Sequence, residues 1–344
     1  MPISAILSIV KFLITLAMLA TLIVRIFLGV RQARFFGRWV MLELNMLAFL
    51  ALVGLAKERA QSSALKYFMI QRVGSRAFLL GLRLSLFSGL SEHIASLISM
   101  GLFLKLGASP FHGWFINFIR GVDWGIFYAS SRIQKVLPIY LLYQVNSGIL
   151  RIVVLARIWV RVAGSVRQLD LKKLLAYSSV FGGAWIIRCN LAFEVSMLYL
   201  LIYALSLLPL LWLALQEETL TVNRALSLND RAGLLLILVT LLNLGGTPPF
   251  IGFYAKVAVI VTLGNRGQLI TLLRLVVGSI FLLYVYLQIL IKALSIGSAK
   301  VRLFEVKNRR VSGGLAAALI LGIAAIPLLL RIGVGHKKIW TFRY

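Results

Sequence analysis

The sequence predicts an all-α polytopic membrane protein of about eleven transmembrane helices, two of them broken mid-membrane. Three observations predict it. The 344 residues are 60% hydrophobic and 14% charged, with a mean hydropathy of +0.94, whereas soluble domains carry roughly 45–50% apolar and about 25% charged residues. The apolar residues gather into runs that reach the roughly 20 residues needed to cross a bilayer. Two of those runs hold a glycine- and proline-rich breaker in their middle. This composition excludes a soluble enzyme, a disordered tail, a disulfide scaffold and a coiled coil. The single cysteine, Cys189, excludes an internal disulfide and a cysteine-rich metal site. His93, His112 and His336 are too scattered along the chain to suggest a zinc site.

Candidate spans lie near 3–28, 39–56, 64–89, 94–119, 122–144, 147–164, 168–189, 191–216, 230–264, 267–296 and 311–332. The first is too long for a signal peptide, and no small-residue cleavage site follows it, so it reads as a span. The second carries Glu43 a third of the way in, in Leu42-Glu-Leu-Asn-Met46. The third is the least apolar, because Arg72, Arg76 and Arg83 interrupt it; steps of four and seven place them on one helical face. That face is expected to meet protein, or its arginines to snorkel to a surface. The fourth is broken at Gly107-Ala-Ser-Pro110. The fifth carries Lys135, and the seventh opens with Lys172 and Lys173. The ninth is too long for one straight crossing and is broken at Gly245-Gly-Thr-Pro-Pro249, which predicts two half-helices. No large soluble loop separates the runs, so a single transmembrane domain is expected over 1–344.

There are 37 Lys and Arg against 10 Asp and Glu, a formal charge of +27. In a soluble chain that balance would suggest a nucleic-acid partner. Here the cations are scattered among apolar runs, and no nucleic acid is expected. Loop cations instead set topology and meet anionic phospholipid. Counted on alternate sides of the spans, they show a modest excess on the N-terminal side. The N-terminus is therefore expected inside and, after eleven spans, the C-terminus outside.

Ionisable residues inside a span are costly and mark function by default. Four stand out: Glu43 in span two, Lys105 in the middle of span four, Lys135 in span five, and Lys256 just after the break in span nine. Each taken alone also fits a structural ion pair or a snorkelling lysine. Together, with two beside helix breaks, they point to ion chemistry. Broken helices at membrane depth occur where the freed backbone meets protein or water, and their ends interact with ions. Desolvation disfavours a lysine's charge while a neighbouring carboxylate favours it, so a lysine in such a place can store and release a proton. His112, in Pro110-Phe-His-Gly-Trp114, is a candidate proton relay, the alternative being a satisfied core histidine. Lys172 and Lys173 fit topology anchors and a proton uptake point equally well.

The stretches Leu42-Glu-Leu-Asn-Met-Leu-Ala48, Ala64-Leu-Lys-Tyr-Phe68, Leu104-Lys-Leu-Gly-Ala-Ser-Pro-Phe-His-Gly-Trp114, Gln134-Lys-Val-Leu-Pro138, Lys172-Lys-Leu-Leu-Ala-Tyr-Ser-Ser179 and Leu244-Gly-Gly-Thr-Pro-Pro-Phe-Ile-Gly-Phe-Tyr-Ala-Lys256 together resemble the NADH dehydrogenase subunit 2 family. Its members are antiporter-like membrane-arm subunits of respiratory complex I. The stretches run in family order over residues 40 to 260, and length and span count resemble the short animal mitochondrial form, which lacks three N-terminal helices of the bacterial subunit.

The resemblance implies an antiporter-like fold and a proton-translocating subunit in the mitochondrial inner membrane. Its termini would lie in the matrix (N) and the intermembrane space (C). It implies that Glu43 and Lys105 form the carboxylate–lysine pair of one half-channel, Lys135 is the central lysine, Lys256 is the lysine of the second broken helix, and His112 is the loop histidine after the first. It implies no cofactor in this chain, the other complex I membrane-arm subunits as partners, and anionic phospholipid such as cardiolipin at the loop cations. Ile133 stands where the family often has tryptophan, Gly182 where it often has histidine, and Asp123 is the nearest acid to Arg120. Two other readings use the same residues: a free-standing cation/proton antiporter, and a structural complex I subunit that has lost transport.

Overall fold

The computed structural model describes residues 3–55, 59–89, 91–108, 110–145, 170–188, 193–216 and 231–300. The chain clusters into two compact units, Met1–Ala156 and Arg157–Tyr344. Among the described residues the regular structure is helical. The expected runs near 147–164 and 311–332 lie outside them.

The first unit contains α1 (Ile3–Arg31), α2 (Phe35–Gly54), α3 (Arg59–Ser88), α4 (Glu92–Leu106), α5 (Gly113–Arg120), α6 (Trp124–Ser131) and α7 (Val136–Gln144). Helix α2 packs between α1 and α3, α4 packs on α3 and α7, and α5 also meets α3. The α3–α4 contact is the closest. A Cβ on Gly101 would lie 2.7 Å from the Gly74 carbonyl oxygen, and one on Gly74 would lie 2.9 Å from the Gly101 carbonyl oxygen. In lipid, where apolar side chains have no reason to prefer each other over acyl chains, such small residues let backbones approach. That approach brings residues of α3 and α4 to the same carboxylate on α2.

The expected break in span four is present. Helix α4 ends in a Schellman turn: Ala108 N–H donates to Phe103 O at 2.9 Å and Gly107 N–H to Leu104 O at 3.2 Å. Gly107 occupies the left-handed region, φ 61°, where glycine avoids the Cβ clash. Span five differs from its expectation as one helix. It stops at Ser131, passes through a 3₁₀ turn at Ile133–Lys135 and resumes at Val136. Pro138 gives the reason, since its ring would clash with the carbonyl of residue 134 and it has no N–H to donate.

The second unit contains α8 (Leu171–Arg188), α9 (Phe193–Gln216), α10 (Arg231–Gly245), α11 (Ile251–Gly264) and α12 (Leu269–Lys300). Helices α10 and α11 are the two halves expected of span nine. Both pack on α9 and on α12. Helix α10 ends as α4 does: Thr247 N–H donates to Leu242 O at 3.3 Å, Gly246 N–H to Asn243 O at 3.0 Å, and Gly246 has φ 75°. Asn243 Oδ1 accepts the Gly252 N–H at 2.9 Å, satisfying an otherwise orphan donor in the first turn of α11. Among the described residues, Phe35–Gly54, Phe193–Leu215 and Leu269–Ile289 are each long and apolar enough to cross a membrane, and Leu235–Gly245 and Ile251–Gly264 are shorter apolar helices.

Candidate functional site

In the first unit, Glu43 lies near the middle of α2, 9% exposed. Lys105 lies in the last turn of α4, two residues before the break. Its Nζ donates to Glu43 Oε1 at 3.1 Å, and the lysine side chain is 3% exposed. A charge pair this deep is costly unless further groups meet its remaining polar atoms; Glu43 Oε2 accepts no hydrogen bond among the described residues. The Ser75 hydroxyl of α3 donates to the same carboxylate. Arg72, one turn earlier on α3, places Nη1 3.5 Å from Glu43 Oε2. Gln71 donates to the Lys105 carbonyl oxygen at 3.0 Å, covering an acceptor of the last α4 turn. The partial negative charge of that helix end also favours the lysine ammonium.

Lys135 sits in the 3₁₀ turn, 6% exposed, its Nζ 5.0 Å from the Phe115 ring centroid, a cation–π distance. It shares with Lys105 a cavity of about 20 Å³, whose wall includes Asn45, Gln71, Ser130 and Gln134. A space above roughly 10–15 Å³ with polar partners accommodates one water. Asn45 Nδ2 donates to Gln134 Oε1 at 2.7 Å, while Asn45 Oδ1 and Gln134 Nε2 are buried with no protein partner. The wall therefore offers an acceptor and a donor beyond the two lysines. Tyr67 closes the cavity with Trp114, their ring centroids 5.7 Å apart.

In the second unit, Lys256 is 8% exposed and donates to the Gly245 carbonyl oxygen, an orphan acceptor at the end of α10. Gly246 makes room for it, since a Cβ there would lie 2.7 Å from Lys256 Nζ. Both breaks thus share one local design: a Schellman stop with a left-handed glycine, and a buried lysine at the C-terminal end of the first half-helix.

The structure therefore joins Glu43 to Lys105 and places Lys135 on the same cavity. His112 lies on the loop of the first break with Nδ1 3.1 Å from Pro110 O, and it is absent from the cavity wall. Lys173 pairs with Asp170 at 2.9 Å. Sequence reasoning missed Ser75, Gln71, Asn45 and Gln134. It also missed Arg132, 3% exposed at the break in span five. The signal for Arg132 was available, as a cation three residues from Lys135 in an apolar run. At Gly182 a Cβ would lie 2.9 Å from the Tyr203 ring, and the Tyr203 hydroxyl donates to Ser178 Oγ at 3.0 Å. The tyrosine fills the room in which a larger side chain at 182 would stand.

Residues 34–282 match the family model described as NADH:quinone oxidoreductase/Mrp antiporter, TM. NADH-ubiquinone oxidoreductase chain 2 of Myxine glutinosa is 32% identical over 291 residues, 78% of this chain and 83% of that protein. This chain belongs to the NADH-ubiquinone oxidoreductase chain 2 family. The chain 2 fold is also similar to solved membrane assemblies. A chain of respiratory complex I from Thermus thermophilus with bound aureothin matches with a TM-score of 0.74 at 24% identity, covering 90% of this chain and 77% of that one. A chain of the Mrp complex from a Dietzia species matches with a TM-score of 0.67 at 19% identity, covering 92% and 75%. The antiporter-like fold expected from the sequence is therefore the fold observed.

Proposed function

We propose that this chain is a proton-translocating membrane-arm subunit of NADH:ubiquinone oxidoreductase, moving protons through its buried carboxylate and lysines without a redox centre of its own. Membership of the chain 2 family supports the assignment to that enzyme and makes the other complex I subunits its partners. The observation that carries the transport reading is the Glu43–Lys105 pair, 3.1 Å apart in the described interior of the first unit.

Glu43 is one carboxylate faced by Lys105, Arg72 and the Ser75 hydroxyl. Its negative charge holds the proton on Lys105. When a proton taken up from the aqueous side binds Glu43, or charge elsewhere in the complex displaces it, the lysine loses its counter-ion in a low-dielectric setting and its proton becomes easier to release. The cavity it shares with Lys135 offers the next site, through a water held by the amides of Asn45 and Gln134, and Lys135 accepts the proton once it has passed its own onward. Lys256 performs the same storage at the second break, where it donates to the Gly245 carbonyl oxygen at the end of α10. His112 serves the loop after the first break as a proton exchange point. The membrane is the mitochondrial inner membrane, with the N-terminus on the matrix side and the C-terminus in the intermembrane space. Loop cations meet anionic phospholipid such as cardiolipin.

Lys105→Met removes the ionisable group and keeps an unbranched apolar stem. In the assembled complex, the number of protons moved per electron from NADH is expected to fall while electron transfer persists. An unchanged ratio in a fully assembled variant contradicts the reading.

A further inference from the structure

Helix α3 has a face that the transport reading uses only at Arg72. Arg72, Arg76 and Arg83 lie along it and all are exposed on the chain. Among them run exposed apolar residues, Met69 at 64%, Val73 at 51% and Leu80 at 54%. Neither water nor lipid suits this mixture.

Depth decides what does. Helix α3 has 30 residues, about 45 Å at 1.5 Å per residue. A hydrocarbon layer of about 30 Å centred on it takes in roughly residues 64–83. Arg72 is fixed near that centre by its contact with Glu43, itself mid-helix in α2. Arg76 follows one turn later, about 10 Å along the axis from the layer edge at residue 83 and about 18 Å from the edge at residue 64, toward which helical side chains lean. Both distances exceed what one extended side chain spans, so Arg76 does not reach a headgroup by snorkelling. Arg83 stands at the edge of the layer. Among the described residues, Glu43 is the only carboxylate that meets this row, and it is already shared between Arg72 and Lys105. The face therefore carries positive charge in excess at a depth where an arginine facing acyl chains is strongly disfavoured.

We propose that the Arg72–Arg76–Arg83 face of α3 is a docking surface for a transmembrane helix of a neighbouring subunit that carries carboxylates within the membrane. The carboxylates lie opposite the arginines over about 16 Å of helix axis, and Met69, Val73 and Leu80 seal the contact against lipid. Arginine suits this role because its planar fork binds carboxylate in a bidentate manner.

Two experiments on the assembled complex test it. A photoreactive residue at Val73, with every arginine intact, is expected to cross-link to a transmembrane peptide containing Asp or Glu. Cross-linking chiefly to phospholipid, or to a segment without acidic residues, overturns the proposal. The Arg76→Leu/Arg83→Leu variant is expected to yield roughly tenfold less assembled complex on native electrophoresis, with a subcomplex appearing. Arg76→Lys/Arg83→Lys is expected to recover part of the loss, which a general folding defect would not produce. A face toward lipid gives the opposite result: the leucine variant assembles as well as the parent or better.

Discussion

Glu43 is the residue on which the site turns. Three groups from two other helices converge on its carboxylate, and removing one member of a buried charge pair leaves the other uncompensated, at a cost of about 3–5 kcal/mol. Lys256 is held differently, by a backbone carbonyl and by the space that Gly246 leaves. Gly246→Ala adds a Cβ in the left-handed region, where strain is about 1–2 kcal/mol, and pushes the ammonium away from Gly245. A lower melting temperature and a lower proton-to-electron ratio are expected; a variant normal in both would show that Lys256 is not placed by this glycine. The four ionisable residues were legible because a charge in an apolar run stands out by its burial cost. Ser75, Asn45, Gln71 and Gln134 were not. Small polar residues are common in membrane helices, and whether one faces the site depends on how its helix is rotated, which a helix apolar on most sides does not reveal.

Among the elements, the α3–α4 contact sets the geometry of the pair. At Gly101 a Cβ would meet only α3 backbone, the Gly74 carbonyl oxygen at 2.7 Å and the Phe78 nitrogen at 2.9 Å, so the helices themselves must move if a side chain is added there. Gly101→Ala is expected to destabilise by about 1–3 kcal/mol through overpacking and to reduce pumping by separating Ser75 and Arg72 from Lys105. Gly113→Ala, whose Cβ would meet nothing within 4 Å, is the control. Equal melting temperatures for the two variants would refute this role for Gly101. The breaks at Gly107 and Gly246 were readable as glycine next to proline in an apolar run. The third, at Arg132, was overlooked because its proline stands six residues downstream and no glycine marks the stop. The cross-break bond from Gly252 to Asn243 was hidden for another reason: it needs the two halves already in place.

For the whole molecule, the charge of +27 divides by position. In the proposed account, loop cations face the membrane surfaces, the buried lysines serve the transport site, and Arg76 and Arg83 serve a neighbour, with Arg72 shared between the two. This division has consequences for topology and for mechanism. In inner-membrane preparations with the intermembrane face outward, a C-terminal epitope is expected to be removed by added protease; protection of the epitope would reverse the orientation. The central claim is that Glu43 and Lys105 act as one proton-handling unit, and residues acting as a unit are non-additive when removed together. The most direct test is the proton-to-electron ratio of Glu43→Gln, Lys105→Met and the double variant in assembled complex. The account expects each single substitution to lower the ratio and the double variant to fall no further than the worse single. Ratios that stay at the parental value, or losses that simply add, would contradict it.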